Sequence, residues 1–207
     1  MTPAALLDFG SVFIFALTGA LVASRAQLDP VGFLFVACLT AVGGGTARDV
    51  LLDRNPIFWM AQPAYLGVAA GAAILVFFTA HLLESRLRTL LWLDALALAI
   101  AMAAGCAVAL SLGQPPVIVV LMGVVTGCLG GLMRDVVVGD VPVVLKQGEL
   151  YVSAAFGGAL CLWAATLLPV PAPWHLAVGA GVTWALRAGS IAFGWRLPNY
   201  RHGPPKE

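Results

Sequence analysis

The sequence predicts an all-α membrane protein of seven transmembrane helices, built as two inverted three-helix repeats plus a seventh helix. Three observations carry this. Hydrophobic residues fill 61% of the 207 positions and charged residues only 10%, against about 45–50% and about 25% in soluble domains. The mean hydropathy is +0.96. The apolar residues fall into seven runs, each near the roughly 20 residues that a helix needs to cross a bilayer. Finally, the chain aligns with itself at a shift of 86 residues.

In order, the spans are expected at residues 4–23, 31–52, 64–83, 91–112, 117–138, 150–168 and 174–195. The first run could mimic a secretory signal. Its first 24 residues carry no Lys or Arg, however, Asp8 interrupts it, and further spans follow, so it counts as span one. The connectors are short and rich in Pro, Gly and charge, leaving no room for a soluble domain. The expected organisation is a single transmembrane domain, 1–207, with repeat one at 4–83, repeat two at 91–168, helix seven at 174–195 and a short cytoplasmic tail at 198–207. Arg25, Arg86, Arg88, Lys146, Arg196, Arg201 and Lys206 share one side, and only Arg54 sits in a connector on the other. Basic residues are retained on the cytoplasmic side, which places the amino terminus outside and the carboxyl terminus inside.

Between residues 8 and 73, 18 of the 66 ungapped pairs at this shift are identical, where composition alone gives roughly six. Asp8 aligns with Asp94, Gly19 with Gly105, Thr40 with Thr126, Pro56 with Pro142 and Tyr65 with Tyr151. Each copy holds three spans, an odd number, so the second copy enters the membrane upside down.

The best match pairs Gly44-Gly45-Thr46-Ala47-Arg48-Asp49-Val50 on span two with Gly130-Gly131-Leu132-Met133-Arg134-Asp135-Val136 on span five. Glycine inside a helix costs about 1 kcal/mol relative to Ala, and the run Gly43 to Gly45 permits a kink or local unwinding. In hydrocarbon, freed backbone groups are tolerated only where they line water or a ligand. Freed carbonyls there would coordinate a cation, with hydroxyls added by Thr40, Thr46 and Thr126. Close helix packing is the other reading of Gly44 and Gly130, and it is the favoured one for Gly123, Gly67 and Gly71.

Ionised groups at membrane depth cost roughly 2.5–3.5 kcal/mol each on insertion scales and need partners or water. The spacing predicts two clusters, Asp8 with Arg48 and Asp49 at the outer end, and Asp94 with Arg134 and Asp135 at the inner end. Each would hold two carboxylates to one guanidinium, a net charge near minus one that favours a cation. Buried ion pairs that only lock helices together are the alternative. Arg187 on span seven has no repeat counterpart, and pairing with Asp94 or Asp135 is expected of it.

Other function classes fall away. A net charge of +1 leaves no basic footprint for nucleic acid. Cys38, Cys106, Cys128 and Cys161 lie in apolar runs without metal-ligand company, and read as packing residues. The sequence holds no nucleotide loop and no hydrolase or zinc-protease motif. No enzyme, no cofactor and no resident metal are expected; the only metals would be transient monovalent cations.

Two Gly-Gly-x-x-Arg-Asp motifs, on spans two and five of a duplicated bundle, together with Pro56 and Pro142, resemble the trimeric intracellular cation (TRIC) channels. The likeness is to their short prokaryotic relatives, formerly an uncharacterised bacterial membrane protein family, and it covers about Asp8 to Trp195. The resemblance implies a homotrimer with one pore per subunit, conducting potassium and sodium between kinked second and fifth helices. Gly44, Gly45, Gly130 and Gly131 would lie at the kinks, to which the residue pattern itself adds Gly43, Thr46 and Thr126. Arg48, Asp49, Arg134 and Asp135 would be pore or gate charges, supported by Asp8, Asp94 and Arg187. The partners implied are further copies of the chain, membrane lipid and the permeating cation, and the setting is a prokaryotic plasma membrane. A secondary transporter of a small zwitterion such as glycine is the rival reading, because inverted repeats with interrupted helices also serve alternating access.

Overall fold

In the computed structural model, which describes residues 3–82, 85–146 and 148–198, every apolar run forms a helix. The helices are α1 (Pro3–Arg25), α2 (Pro30–Leu51), the single-turn α3 (Phe58–Ala61), α4 (Ala64–Thr79), α5 (Arg86–Ser111), α6 (Pro116–Val138), α7 (Val152–Ala165) and α8 (Ala172–Phe193). Short 3-10 turns follow α4 at Ala80–Leu82 and precede α7 at Val143–Leu145. The expected tail lies, from Asn199 onward, outside the described residues.

Local chemistry sets the ends. Asp29 caps α2 by accepting a 2.7 Å hydrogen bond from Gly32 N, with Pro30 in the first helical position, where its missing N–H costs nothing. Ser85 caps α5 by accepting from Arg88 N, and that helix starts ahead of the expected span. Gly139 (φ 81°) and Gly194 (φ 69°) end α6 and α8 in the left-handed conformation that glycine adopts without strain. Among the described residues six helices are long and apolar enough to cross a membrane; α7, with 14 residues, is shorter.

The two repeats are α1, α2, α4 and α5, α6, α7. In each, the first helix packs on the second and the third packs on both. The repeats join through α1 against α5 and α2 against α6, while α8 lies against α5 and α7. Each repeat has its own apolar core, one centred on Val12, Leu21, Val36 and Tyr65, the other on Leu98, Met102, Val119 and Leu162. Small residues let backbones approach. Gly19 faces the carbonyl of Val36 and the Thr40 hydroxyl, and 86 positions on, Gly105 faces the carbonyl of Met122 and the Thr126 hydroxyl.

Where α2 crosses α6, Gly44 lies against the Thr126 carbonyl and Gly130 against the Thr40 carbonyl, a reciprocal pair of contacts as the inverted repeat demands. Gly123 packs against Cys106 as expected. Gly67 and Gly71 do not pack within the chain: nothing lies within 4 Å of where a Cβ would stand on either. They face outward on α4.

Candidate functional site: two buried arginine-carboxylate clusters

Asp8 on α1 meets Arg48 and Asp49 near the end of α2. Arg48 Nε donates to Asp49 Oδ1 at 2.8 Å and Nη1 donates to Asp8 Oδ1 at 2.9 Å. In the second repeat, Arg134 Nε donates to Asp135 Oδ1 at 2.8 Å and Nη1 donates to Asp94 Oδ1 at 2.9 Å. Both arginines are 0% exposed. The two motifs thus produce one geometry twice.

The connector after each motif folds back onto it. Phe58 N donates to Asp49 Oδ2 at 2.8 Å and Val143 N donates to Asp135 Oδ2 at 3.0 Å. Each amide opens a short helical turn, following Pro56 or Pro142 in the chain, and so lacks an acceptor within that turn. The carboxylate supplies one, which leaves both oxygens of each motif aspartate hydrogen-bonded.

The clusters differ in what completes them. Arg54, the one basic connector residue expected on that side, turns back so that its Nη1 lies 3.4 Å from Asp49 Oδ1. With all groups ionised, the first cluster therefore carries two carboxylates and two guanidiniums and is neutral, not negative as expected. Among the described residues, no second cation pairs with the carboxylates of the other cluster. Instead Arg134 Nη1 also donates to Thr18 Oγ1 on α1 at 3.0 Å. Three turns of α1 separate Asp8 from Thr18, so the clusters stand about 15 Å apart along that helix.

Arg187 does not pair with Asp94 or Asp135. Its Nη1 donates to Glu149 Oε2 at 2.8 Å, and its guanidinium lies over the Tyr151 ring, 5.1 Å from the centroid. The reason is the path of the α6–α7 connector, which is stitched to the end of α8 by Leu197 N donating to the Gly148 carbonyl and Leu150 N to Ser190 Oγ. That places Glu149 under α8, while Arg134 already occupies both aspartates.

The glycine runs are not unwound. α2 and α6 are continuous α-helix through Gly43–Gly45 and Gly130–Gly131. The glycines serve close approach, since a neighbouring carbonyl stands where a Cβ would be at Gly44 and Gly130. Thr40 and Thr126 each donate their hydroxyl to the carbonyl four residues earlier at 2.6 Å, and Thr46 does so at 2.7 Å. Such back-bonding tends to bend a helix without opening it.

A cavity of about 270 Å³ reaches the second cluster, lined by Val22 and Arg25 of α1, Leu90 of α5, and Asp135, Asp140 and Lys146. At its mouth Arg25 and Asp140 approach to 3.8 Å. Arg54 and Phe58 join the first cluster, and Glu149 and Tyr151 hold Arg187, without having been marked by the sequence motifs. Only Tyr151 left a trace there, as the repeat partner of Tyr65.

The sequence profile of the Glycine transporter family matches the chain twice, at residues 5–81 and 91–166. Curated relatives include the UPF0126 inner membrane protein YadS of Escherichia coli, 36% identical over 199 residues and 94% of both chains. A UPF0126 membrane protein of Vibrio cholerae is 34% identical over 200 residues, 94% of this chain and 82% of the relative. Among solved structures, the trimeric intracellular cation channel orthologue from Rhodobacter sphaeroides is 42% identical with a TM-score of 0.90, covering 94% of this chain and 100% of that one. A prokaryotic TRIC channel is 27% identical with a TM-score of 0.86, covering 92% and 96%. The chain therefore belongs to the bacterial membrane protein family that this profile and the UPF0126 proteins define, the prokaryotic TRIC family.

Proposed function

We propose that the chain is a monovalent cation channel of a prokaryotic plasma membrane, active as a homotrimer with one pore in each subunit. The observation that carries the reading is the likeness to the Rhodobacter sphaeroides channel over nearly the whole chain, supported by a buried acidic excess at the end of α6 with a cavity leading to it. The single transmembrane domain would lie with its amino terminus outside. The first cluster is then outer and the second inner. Potassium or sodium would enter the cavity, be drawn by Asp135 and Asp94, and pass the crossing of Thr40, Gly44, Thr126 and Gly130 when α2 and α6 kink apart. The present tight crossing corresponds to a closed state. No chemistry on the ion is required, and the chain acts as a channel, not an enzyme.

Planar-bilayer recordings of the purified trimer test this: unitary, cation-selective currents are expected, and none from well-folded trimer would refute it. The profile's name favours one other reading, a transporter of a small zwitterion such as glycine. Saturable counterflow of labelled glycine without unitary current would support that reading instead.

A further inference from the structure

We propose that the outer connector between α2 and α4 is the gate on the outer side, with the Phe58 ring as its plug; this rests on the conduction reading above. The inverted repeat supplies the comparison. On the inner side a cavity passes between α1, α5 and the α6–α7 connector to Asp135. At the outer cluster the Phe58 ring fills the space beside the motif glycine. The ring is 5% exposed and lies under the Arg48 guanidinium, 5.4 Å from its centroid, and edge-on to Tyr65 at 4.8 Å. A Cβ on Gly45 would stand 2.6 Å from that ring. Its repeat partner, Gly131, faces the Tyr151 hydroxyl and Arg134 Nη2 instead, and Val143, whose amide meets Asp135 as that of Phe58 meets Asp49, takes the place of Phe58. The outer cluster has an aromatic stopper against its motif glycine, and the inner one has an aliphatic residue in that place.

The hydrogen bonds that hold the connector run to one side. Phe58 N donates to Asp49 Oδ2, Arg54 N to the Asp49 carbonyl at 2.8 Å, and Trp59 Nε1 to Thr46 Oγ1 at 2.9 Å. All three bonds end on residues 46–49, the last turns of α2. The opposite face, Met60 to Pro63, is exposed. A movement of the end of α2 that releases these bonds lifts the ring off Gly45 and Arg48 and uncovers the outer cluster. The device couples the kinking of α2 to the outer mouth.

Trp59→Phe removes the Trp59–Thr46 hydrogen bond, and Thr46→Val removes it together with the Thr46 bond to the Val42 carbonyl, each keeping most of the side chain's bulk. Potassium flux into liposomes should rise between about two-fold and ten-fold in either variant, the range that one hydrogen bond represents in an equilibrium. The double variant should rise no further than Thr46→Val alone, since the bond to Trp59 is already gone there, a pattern that mere loosening of the protein does not produce. Phe58→Ala should raise flux at least as much, with trimer content checked by size-exclusion chromatography. Single variants that conduct like a conducting wild type, or a double variant whose effect is additive, overturn the gate and leave the channel reading standing. Flux from the variants but not the wild type supports both. Folded trimers without flux in any form overturn the channel reading, and the gate with it.

Discussion

Replacing Arg134 by Gln removes the guanidinium that, among the described residues, alone pairs with Asp94 and Asp135. Three hydrogen bonds go with it, at 2.8, 2.9 and 3.0 Å, and two carboxylates are left buried together. Removing one partner of a buried pair costs about 3–5 kcal/mol, because the remaining charge is uncompensated. In a chain of this length each kcal/mol moves the melting temperature by roughly 2–4 °C, so a fall of roughly 6–20 °C is expected. Arg48→Gln should cost less. Arg54 stays 3.4 Å from Asp49, and a 40% exposed partner of this kind contributes about 0.5–1 kcal/mol. Arg48 also shows no counterpart of the Thr18 hydrogen bond, worth about 1 kcal/mol, though the loss of Arg48 also removes the contact with the Phe58 ring, worth about 0.5–1 kcal/mol. The difference between the two variants is therefore about 0.5–1 kcal/mol, or roughly 1–4 °C. The assay is thermal unfolding in one detergent at one protein concentration, since an oligomer's midpoint depends on both. If Arg48→Gln melts lower than Arg134→Gln, the charge count of the two clusters is wrong. If both melt within roughly 2 °C of wild type, the scale of about 1 kcal/mol, the pairs do not hold the fold.

Two further outcomes follow from the same geometry. Gly44→Ala and Gly130→Ala drive a methyl group into a facing carbonyl and should each destabilise by about 1–3 kcal/mol, whereas Gly67→Ala, with open space around it, should stay within about 1 kcal/mol of wild type; chemical unfolding in detergent compares them. Asp94→Asn takes the second cluster from a formal minus one to neutral while keeping an oxygen for Arg134, so the potassium-over-chloride permeability ratio from reversal potentials should fall, and an unchanged ratio would show that this charge does not face the ion.

The sequence exposes the helices and the two Arg-Asp dipeptides because both signals are local and repeated: apolar runs broken by Pro and Gly, and a motif copied at a fixed shift. The partners Asp8 and Asp94 are legible for the same reason. What is not legible depends on where the connectors fold. Arg54 reads only as a basic connector residue until the turn after α2 brings it back to Asp49. The pairing expected for Arg187 names the wrong carboxylates, because Glu149 reaches it only once the α6–α7 connector is pinned under α8, and nothing local to either residue announces that contact. The glycines are ambiguous for a different reason. Helix breaking and close packing call for the same residue, and only the facing carbonyls of Thr40 and Thr126 distinguish them.

Duplication followed by inversion gives two ends that start out equivalent, and this chain has made them unequal without altering the clusters themselves. The Nε and Nη1 bonds measure 2.8 and 2.9 Å in both copies, so the divergence lies in what surrounds them. At one end Arg54 cancels the excess charge and Phe58 closes over the motif glycine. At the other the excess charge remains, a cavity leads to Asp135, and the helix that lies outside both repeats, α8, clamps the connector through Arg187 and Glu149. A symmetric pair would present an ion with the same barrier at both ends. On the proposed conduction reading, an end that is neutral and stoppered, opposite an end that is acidic and reached by a cavity, makes entry electrostatic on one side and mechanical on the other. That division requires the motion to be concentrated at the end of α2, where the connector is held by side-chain hydrogen bonds, and not at the end of α6, where α8 holds the next connector in place.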